Sequence, residues 1–132
     1  KSIGWLVWHT AREQDLQIAA LAGTEALWTR DGWNRRFAFD LPDDTEDWRH
    51  TPAEAAQVII RDAALLRDYL AAATQAVIDY LQQLPPDALP HIIDRHWNPP
   101  VSRAVRLISI IDDAAMHSGQ AVYVRRLLGL TD

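Results

Sequence analysis

The chain has 132 residues, a formal net charge of −5 and no cysteine. This length suits one domain, over residues 1–132, with a hydrophobic core that needs no cross-links. The absence of cysteine excludes disulfides, cysteine nucleophiles and thiolate metal ligands, so a bound metal would need nitrogen and oxygen donors. Basic residues are scattered singly among acids, which leaves no positive stripe to which a nucleic acid would bind.

No apolar run approaches the ~20 residues that span a bilayer, and the sequence shows no secretory signal. We therefore expect a soluble, cytoplasmic protein with no membrane partner. The sequence opens on Lys1 rather than Met and runs directly into an apolar segment. We expect it to begin inside a longer chain, so that an N-terminal helix would be missing.

Apolar residues on more than one face predict a largely buried first helix from about Ser2 to Ala22, with Gly23 ending it. The connection that follows, TRDGWNRRFAFDLPDDTEDWRH, is rich in Gly, Pro and Asp and should hold one short helical turn at most. Loops of this length are uncommon in compact domains and are usually functional. Its aromatic residues argue against an open coil, so we expect it to pack across one end of the helices.

The second helix has the clearest start signal in the chain. Thr51 is the predicted N-cap, Pro52 takes the first helical position, and Glu54 closes a capping box. Apolar residues then recur at steps of three and four as far as Leu84, where two prolines end the pattern. These signals predict one continuous helix of an antiparallel bundle.

The segment DALPHIIDRHWNPP is a second irregular crossing. The third long helix follows it from about Val101 to Leu128, with Gly129 as its C-terminal stop. No segment reads as a sheet, so the pattern indicates an all-α fold.

Asp113 and His117 lie four residues apart on the third helix, which places them one turn apart on one face. This spacing is typical of metal ligands, and Gln120 continues the same face. A carboxylate among apolar neighbours is costly unless it is paired or bound to a cation. His9 is the best third ligand, because it lies within an apolar helix. Glu13, one turn later, is a fourth contact, a general base or a hydrogen-bond acceptor for a ligand.

Other histidines and other readings stay open. His91 and His96, in the irregular crossing, could also reach the site, whereas His50, next to the helix cap, is expected to be exposed. A lone histidine on an apolar face is more often a hydrogen-bonded core residue than a ligand. The six tryptophans are expected to pack in the core and the loops rather than to form a ligand-stacking surface.

The carboxylate assignment also has alternatives. Asp113 could form an ion pair with Arg103 or Arg106 in place of a metal bond. A rotation of the helix by one position would make Asp112 the inward residue instead.

The segments GWLVWHTAREQD near the start and DDAAMHSGQAVYVRRLLG near the end resemble the DinB-like superfamily, which includes metal-dependent mycothiol- and bacillithiol-linked transferases. The resemblance implies an up-down-down-up four-helix bundle with a long crossover connection, of which the N-terminal helix would be missing here. It also implies a divalent metal held by His9, Asp113 and His117. Many members have His at the place of Asp113 and others Glu, so the aspartate is a departure. The Gly119–Gln120 pair is also similar to the family.

For function, the resemblance implies a metal-dependent transferase or isomerase that acts on a small electrophilic molecule with a low-molecular-weight thiol. Zn²⁺ is the expected cofactor, with Ni²⁺, Mn²⁺ or Fe²⁺ as alternatives. Glu13 would accept a proton, Gln120 would position the substrate, and the aromatic connection would wall the pocket. A homodimer, frequent in the family, or the missing N-terminal residues would cover the groove that three helices leave open.

Two other functions remain. One is a non-enzymatic structural or interaction bundle whose metal site is vacant or only stabilising. The other is a metal-dependent hydrolase that uses the same ligands to activate water.

Overall fold

Six α-helices and one small two-stranded sheet make up residues 1–130, which the computed structural model describes. The elements are α1 (Ile3–Ala22), α2 (Leu27–Arg30), α3 (Trp33–Phe37), α4 (Pro52–Gln57), α5 (Ala63–Gln83), β1 (Ile92–Asp94), β2 (Val101–Ser102) and α6 (Arg103–Leu127), with 3₁₀ turns at Asp47–Arg49 and Pro86–Ala88. The protein is therefore mostly helical, as predicted. None of the helices in residues 1–130 is both long and apolar enough to cross a membrane.

Helix α1 is the most deeply buried of the three long helices α1, α5 and α6. Ser2 Oγ caps its start by accepting a hydrogen bond from Trp5 N at 3.0 Å. Gly23 ends it at φ 68°, in the left-handed region that favours glycine. Trp5 and Trp8 are 0 % exposed, and the helix packs against both α5 and α6. The predicted helix, its stop and its burial are confirmed.

The second predicted helix is interrupted. Thr51 and Glu54 form the predicted capping box, but α4 ends at Gln57 and α5 begins only at Ala63. Residues 58–60 are a β-branched Val-Ile-Ile run that loses little by leaving the helix. Val58 is buried in the core, and Ile60 packs so closely on Gly4 that a Cβ there would lie 2.7 Å away. Asp62 then starts a new helix by accepting a hydrogen bond from Ala64 N at 2.8 Å.

The long connection after α1 contains two short α-helices and a 3₁₀ turn, so the prediction of at most one helical turn was wrong. Trp28, Trp33 and Phe37 are buried, and their rings lie 5.5, 5.2 and 5.9 Å from that of Tyr69 on α5. These aromatic contacts supply the apolar burial that stabilises helices too short to persist alone. The connection is therefore not an open coil, as its aromatic residues predicted.

A buried carboxylate attaches this connection to α1. Asp15 is 2 % exposed. Its oxygens accept hydrogen bonds from Leu27 N at 2.7 Å, Trp28 N at 2.8 Å and the Tyr69 hydroxyl at 2.9 Å. Burial and the neighbouring Asp15 charge raise the pKa of Tyr69, so its hydroxyl remains a donor. Asp15 thus caps α2 from a distance and joins it to α1 and α5.

The second crossing forms a short antiparallel sheet, which the sequence did not indicate. Ile92 pairs with Ser102, and Asp94 pairs with Val101. Because Val101 and Ser102 belong to β2, α6 begins at Arg103, two residues later than predicted, with Ser102 as its N-cap. Gly129 adopts φ 71° just beyond the last turn of α6, as expected for a helix stop.

Helix α6 is apolar on a face that no element within residues 1–130 covers. Only Leu107 and Ile110 of this helix are buried. Ile108 and Ile111, by contrast, are 64 % and 66 % exposed. Other exposed apolar residues of the helix are Val105, Met116, Val122, Tyr123 and Leu127.

Candidate metal centre

Three of the predicted site residues lie together where α1 meets α6. His9 is 3 % exposed on α1. Its Nε2 lies 3.7 Å from Asp113 Oδ1 on α6, and the Nε2 of His117 lies 3.3 Å from the same oxygen. The two imidazole rings meet edge to face, with centroids 4.8 Å apart. His9 lies close to Asp113 and His117 because α1 and α6 pack against each other.

The other ring nitrogen of each histidine is already engaged. His9 Nδ1 lies 2.8 Å from Asp47 Oδ2, and His117 Nδ1 lies 2.8 Å from Gln120 Oε1. An ionised carboxylate and an amide oxygen only accept hydrogen bonds, so each Nδ1 carries the proton. In its neutral form each imidazole then has a free lone pair on Nε2, and both Nε2 atoms lie beside the Asp113 carboxylate.

The separations match the ligand shell of a metal ion. Two donors that are each about 2.1 Å from a tetrahedral zinc ion lie about 3.4 Å apart. The two Nε2–Oδ1 distances, 3.3 and 3.7 Å, bracket that value. Asp113 Oδ2 is buried without a hydrogen-bond partner in the described part of the chain, and such an atom is costly unless a cation or donor meets it. The donor set therefore fits a divalent cation.

The charges around His9 also favour a cation. Burial lowers the pKa of His9, but the hydrogen bond with Asp47 and the charges of Asp47 and Asp113 outweigh it, so the pKa is raised. The pKa of Glu13 is also raised. Burial is the largest cause and the charge of Asp47 adds to it, whereas the hydrogen bond from Gln17 opposes both. A divalent ion would relieve the repulsion among these three carboxylates.

Glu13 lies one turn after His9 at the edge of a cavity of about 400 Å³. Asp47 also lines this cavity, together with Trp28, Trp48 and Arg12. The three candidate ligands do not line it themselves. The cavity lies next to the candidate ligands because two of its lining residues, Glu13 and Asp47, lie close to His9. Its walls come from the connection after α1 and from α1 itself.

The remaining histidines take no part in this group. His91 is exposed, and His96 pairs with Asp94 at 3.0 Å. His50 is 8 % exposed, so the prediction that it is exposed was wrong. Trp5 Nε1 donates to its Nδ1 at 3.1 Å, and its Nε2 meets Thr45 Oγ1 at 2.8 Å. These two partners hold the side chain inside, and burial lowers its pKa.

The alternative partners of Asp113 lie elsewhere. Arg106 binds Asp94 and Gln17, and Arg103 binds the Ala88 carbonyl. Asp112 is exposed, so Asp113 is the inward residue of the two.

Sequence reasoning missed Asp47, although it is 0 % exposed and bonded to His9. It stands in the acidic run DLPDDTED, where nothing distinguishes it from its neighbours. A second group, His9, Glu13 and Asp47, also has ligand atoms close enough to hold a metal ion. His9 is therefore shared by two possible ligand groups.

The fold and these side chains define a mostly helical protein whose first and last long helices carry a His/Asp group close enough to bind a metal ion. The model of the mycothiol-S-transferase family matches residues 1–129. The chain belongs to this family, which is metal-dependent, and the predicted resemblance is confirmed. Among solved structures, the "conserved protein of locus from Enterococcus faecalis" is similar: 57% identity, TM-score 0.92, covering 96% of this chain and 75% of that one. No curated protein matches the chain.

Proposed function

We propose that this protein is a divalent-metal-dependent transferase or isomerase that acts on a small electrophilic molecule with the help of a low-molecular-weight thiol. One observation carries the proposal: two imidazole Nε2 atoms converge on one carboxylate oxygen while both Nδ1 atoms are held elsewhere. Membership of the mycothiol-S-transferase family supports the thiol and the small-molecule substrate.

We assign His9, Asp113 and His117 as the ligands. Zn²⁺ is the preferred ion over Ni²⁺, Mn²⁺ or Fe²⁺, because two imidazoles, one carboxylate and an open position are a usual catalytic zinc set. When bound, the ion lowers the pKa of a thiol or water that it contacts. The chain has no cysteine, so the thiol must be a separate molecule.

Glu13 is the proposed proton acceptor for the incoming thiol. Gln17 Nε2 donates to Glu13 Oε2 at 3.1 Å and holds the carboxylate beside the cavity. In the metal-free protein, burial raises the pKa of Glu13, so its carboxylate is a stronger base than that of an exposed glutamate. The electrophile would occupy the cavity against Trp28 and Trp48, whose rings provide apolar wall area.

The substrate-positioning role of Gln120 stays a prediction, and its contact with His117 supports a second proposed role. Its Oε1 accepts a hydrogen bond from His117 Nδ1 at 2.8 Å. We propose that it orients the His117 ring, because a bound Nδ1–H fixes both the tautomer and the ring plane.

Elemental analysis of the dialysed protein tests the site. We expect about one divalent ion per chain, lost in His117→Ala and retained in His91→Ala, a matched control at an exposed histidine. Turnover of an alkylating fluorophore should require an added low-molecular-weight thiol. Turnover without thiol would favour the hydrolase, and negligible ion content without turnover would favour a non-enzymatic bundle.

For the assembly, we propose that α1, α5 and α6 are three helices of a four-helix bundle and that the chain forms a homodimer. The exposed apolar face of α6 supports this, because such faces are normally buried against another element. Light scattering should give twice the chain mass of 15.0 kDa. A mass equal to one chain would contradict the dimer.

A further inference from the structure

The two possible ligand groups at His9 compete for one ring. One group uses Asp113 and His117, and the other uses Glu13 and Asp47. A neutral imidazole has one lone pair, so it binds a metal through one nitrogen and donates a proton from the other. Only one of the two groups can therefore hold an ion unless the ring also loses its remaining N–H proton.

The contact distances decide which group it is. His9 Nδ1 lies 2.8 Å from Asp47 Oδ2, which is an ordinary hydrogen-bond distance, so this nitrogen carries the proton. Nε2 faces Asp113, which has a second imidazole one turn away. Only on the side of Asp113 does His9 thus have a free lone pair, and only there does a second nitrogen donor, from His117, lie close by.

We propose that Asp47 is a positioning residue that fixes the tautomer and orientation of His9 for metal binding, and that no second ion binds at His9, Glu13 and Asp47. This inference rests on the proposed function. Asp47 is 0 % exposed, and a buried carboxylate is costly with a single neutral donor. It is stabilised when its donor becomes more acidic, as an imidazole does on binding a cation through its other nitrogen. Affinity for the ion and burial of Asp47 therefore support one another.

The backbone around Asp47 is held against α1 by a second contact. Asp47 begins the 3₁₀ turn that ends beside His50, and His50 N donates to Asp47 O at 3.1 Å. The His50 side chain accepts from Trp5 Nε1 at 3.1 Å. The Trp5 ring in turn stacks on His9, with centroids 4.6 Å apart and an angle of 14°. Trp5 thus contacts both the His9 ring and His50, the residue that ends the turn carrying Asp47, which accepts the hydrogen bond from His9.

The test uses Co²⁺, whose visible spectrum reports coordination, titrated against a competing chelator. Removing such an acceptor typically weakens metal affinity 10- to 100-fold. We expect about 100-fold for Asp47→Ala and about 10-fold for Asp47→Asn, because the amide oxygen still accepts from Nδ1. Both variants should also change the Co²⁺ spectrum.

Asp44→Asn is the matched control, because Asp44 is an acid of the same run, three residues from Asp47, whose exposed side chain contacts none of the three proposed ligands. It should change Co²⁺ affinity less than about threefold per folded chain. Imidazole ¹⁵N NMR of the wild-type protein with Zn²⁺ gives a readout that does not depend on any variant folding. It should show His9 protonated at Nδ1 and metal-bound at Nε2.

The outcomes separate this inference from the proposed function. If the wild-type protein binds no Co²⁺, both are wrong. If it binds one ion and the two Asp47 variants bind it with unchanged affinity and spectrum, only the role of Asp47 is refuted. Two ions per chain, or Zn²⁺ at His9 Nδ1, would make Asp47 a ligand and overturn the inference while leaving the metal dependence intact.

Discussion

The substitution Asp15→Asn should destabilise the fold strongly without touching the proposed ligands. Asp15 accepts three hydrogen bonds, at 2.7, 2.8 and 2.9 Å, from the Leu27 and Trp28 amides and the Tyr69 hydroxyl. An amide in its place keeps one acceptor oxygen and turns an NH₂ group toward a donor. One charge-assisted hydrogen bond is lost, worth about 1.5–3 kcal/mol, and the other two are weakened.

The expected loss in the free energy of unfolding is therefore about 3 kcal/mol, which lowers the Tm by about 12 °C for a domain of this size. Thermal unfolding by circular dichroism, with chelator present, measures it. Tyr69→Phe removes one donor and should cost about 1 kcal/mol, and the double variant should cost less than the sum of both because the partners are shared. A Tm drop below 3 °C for Asp15→Asn would refute the claim that Asp15 anchors the connection.

Three further predictions concern the site and its surroundings. Zn²⁺ at 100 times its Kd should raise the unfolding free energy by about 2.7 kcal/mol. Calorimetry should find this increment absent in His117→Ala, and an equal increment there would contradict the assignment of His117 as a ligand. Glu13→Gln should retain the ion but lower kcat by about 10²-fold or more and remove the acid-side fall in rate, because the carboxylate that accepts the proton is gone. An unchanged pH–rate profile would exclude Glu13 as the base. Burial lowers the pKa of His50 below its ordinary 6.5, so the unfolded chain binds a proton at this histidine more readily, and stability falls as the pH drops below 6.5. In metal-free protein this fall should be shallower in His50→Gln than in the wild type. Identical slopes would argue against the contribution of His50.

Part of the candidate site was predictable because it depends on local geometry. Asp113 and His117 are four residues apart, so any helix through them places both side chains on one face. His9 stood out because an imidazole in an apolar helix needs a partner. The structure brings these three side chains together, and their binding of a metal remains a prediction.

Asp47 could not be predicted in the same way. It lies 38 positions from its partner His9, inside an irregular connection, and no periodicity relates the two. The position of His50 was misjudged for the same reason: a residue next to a helix cap is usually solvated, and only the long-range contact with Trp5 turns it inward.

The sequence by itself determined the helical class, the N-cap at Thr51, the helix stop at Gly23 and the spacing of two candidate ligands, since each depends on residues within one or two turns. Tertiary structure alone decided that α4 and α5 separate, because Val58 and Ile60 gain more from packing against the core and the start of α1 than from continuing the helix. It also decided which acidic residue of the connection faces His9. That choice depends on aromatic packing between segments far apart in the chain, which short-range patterns do not encode.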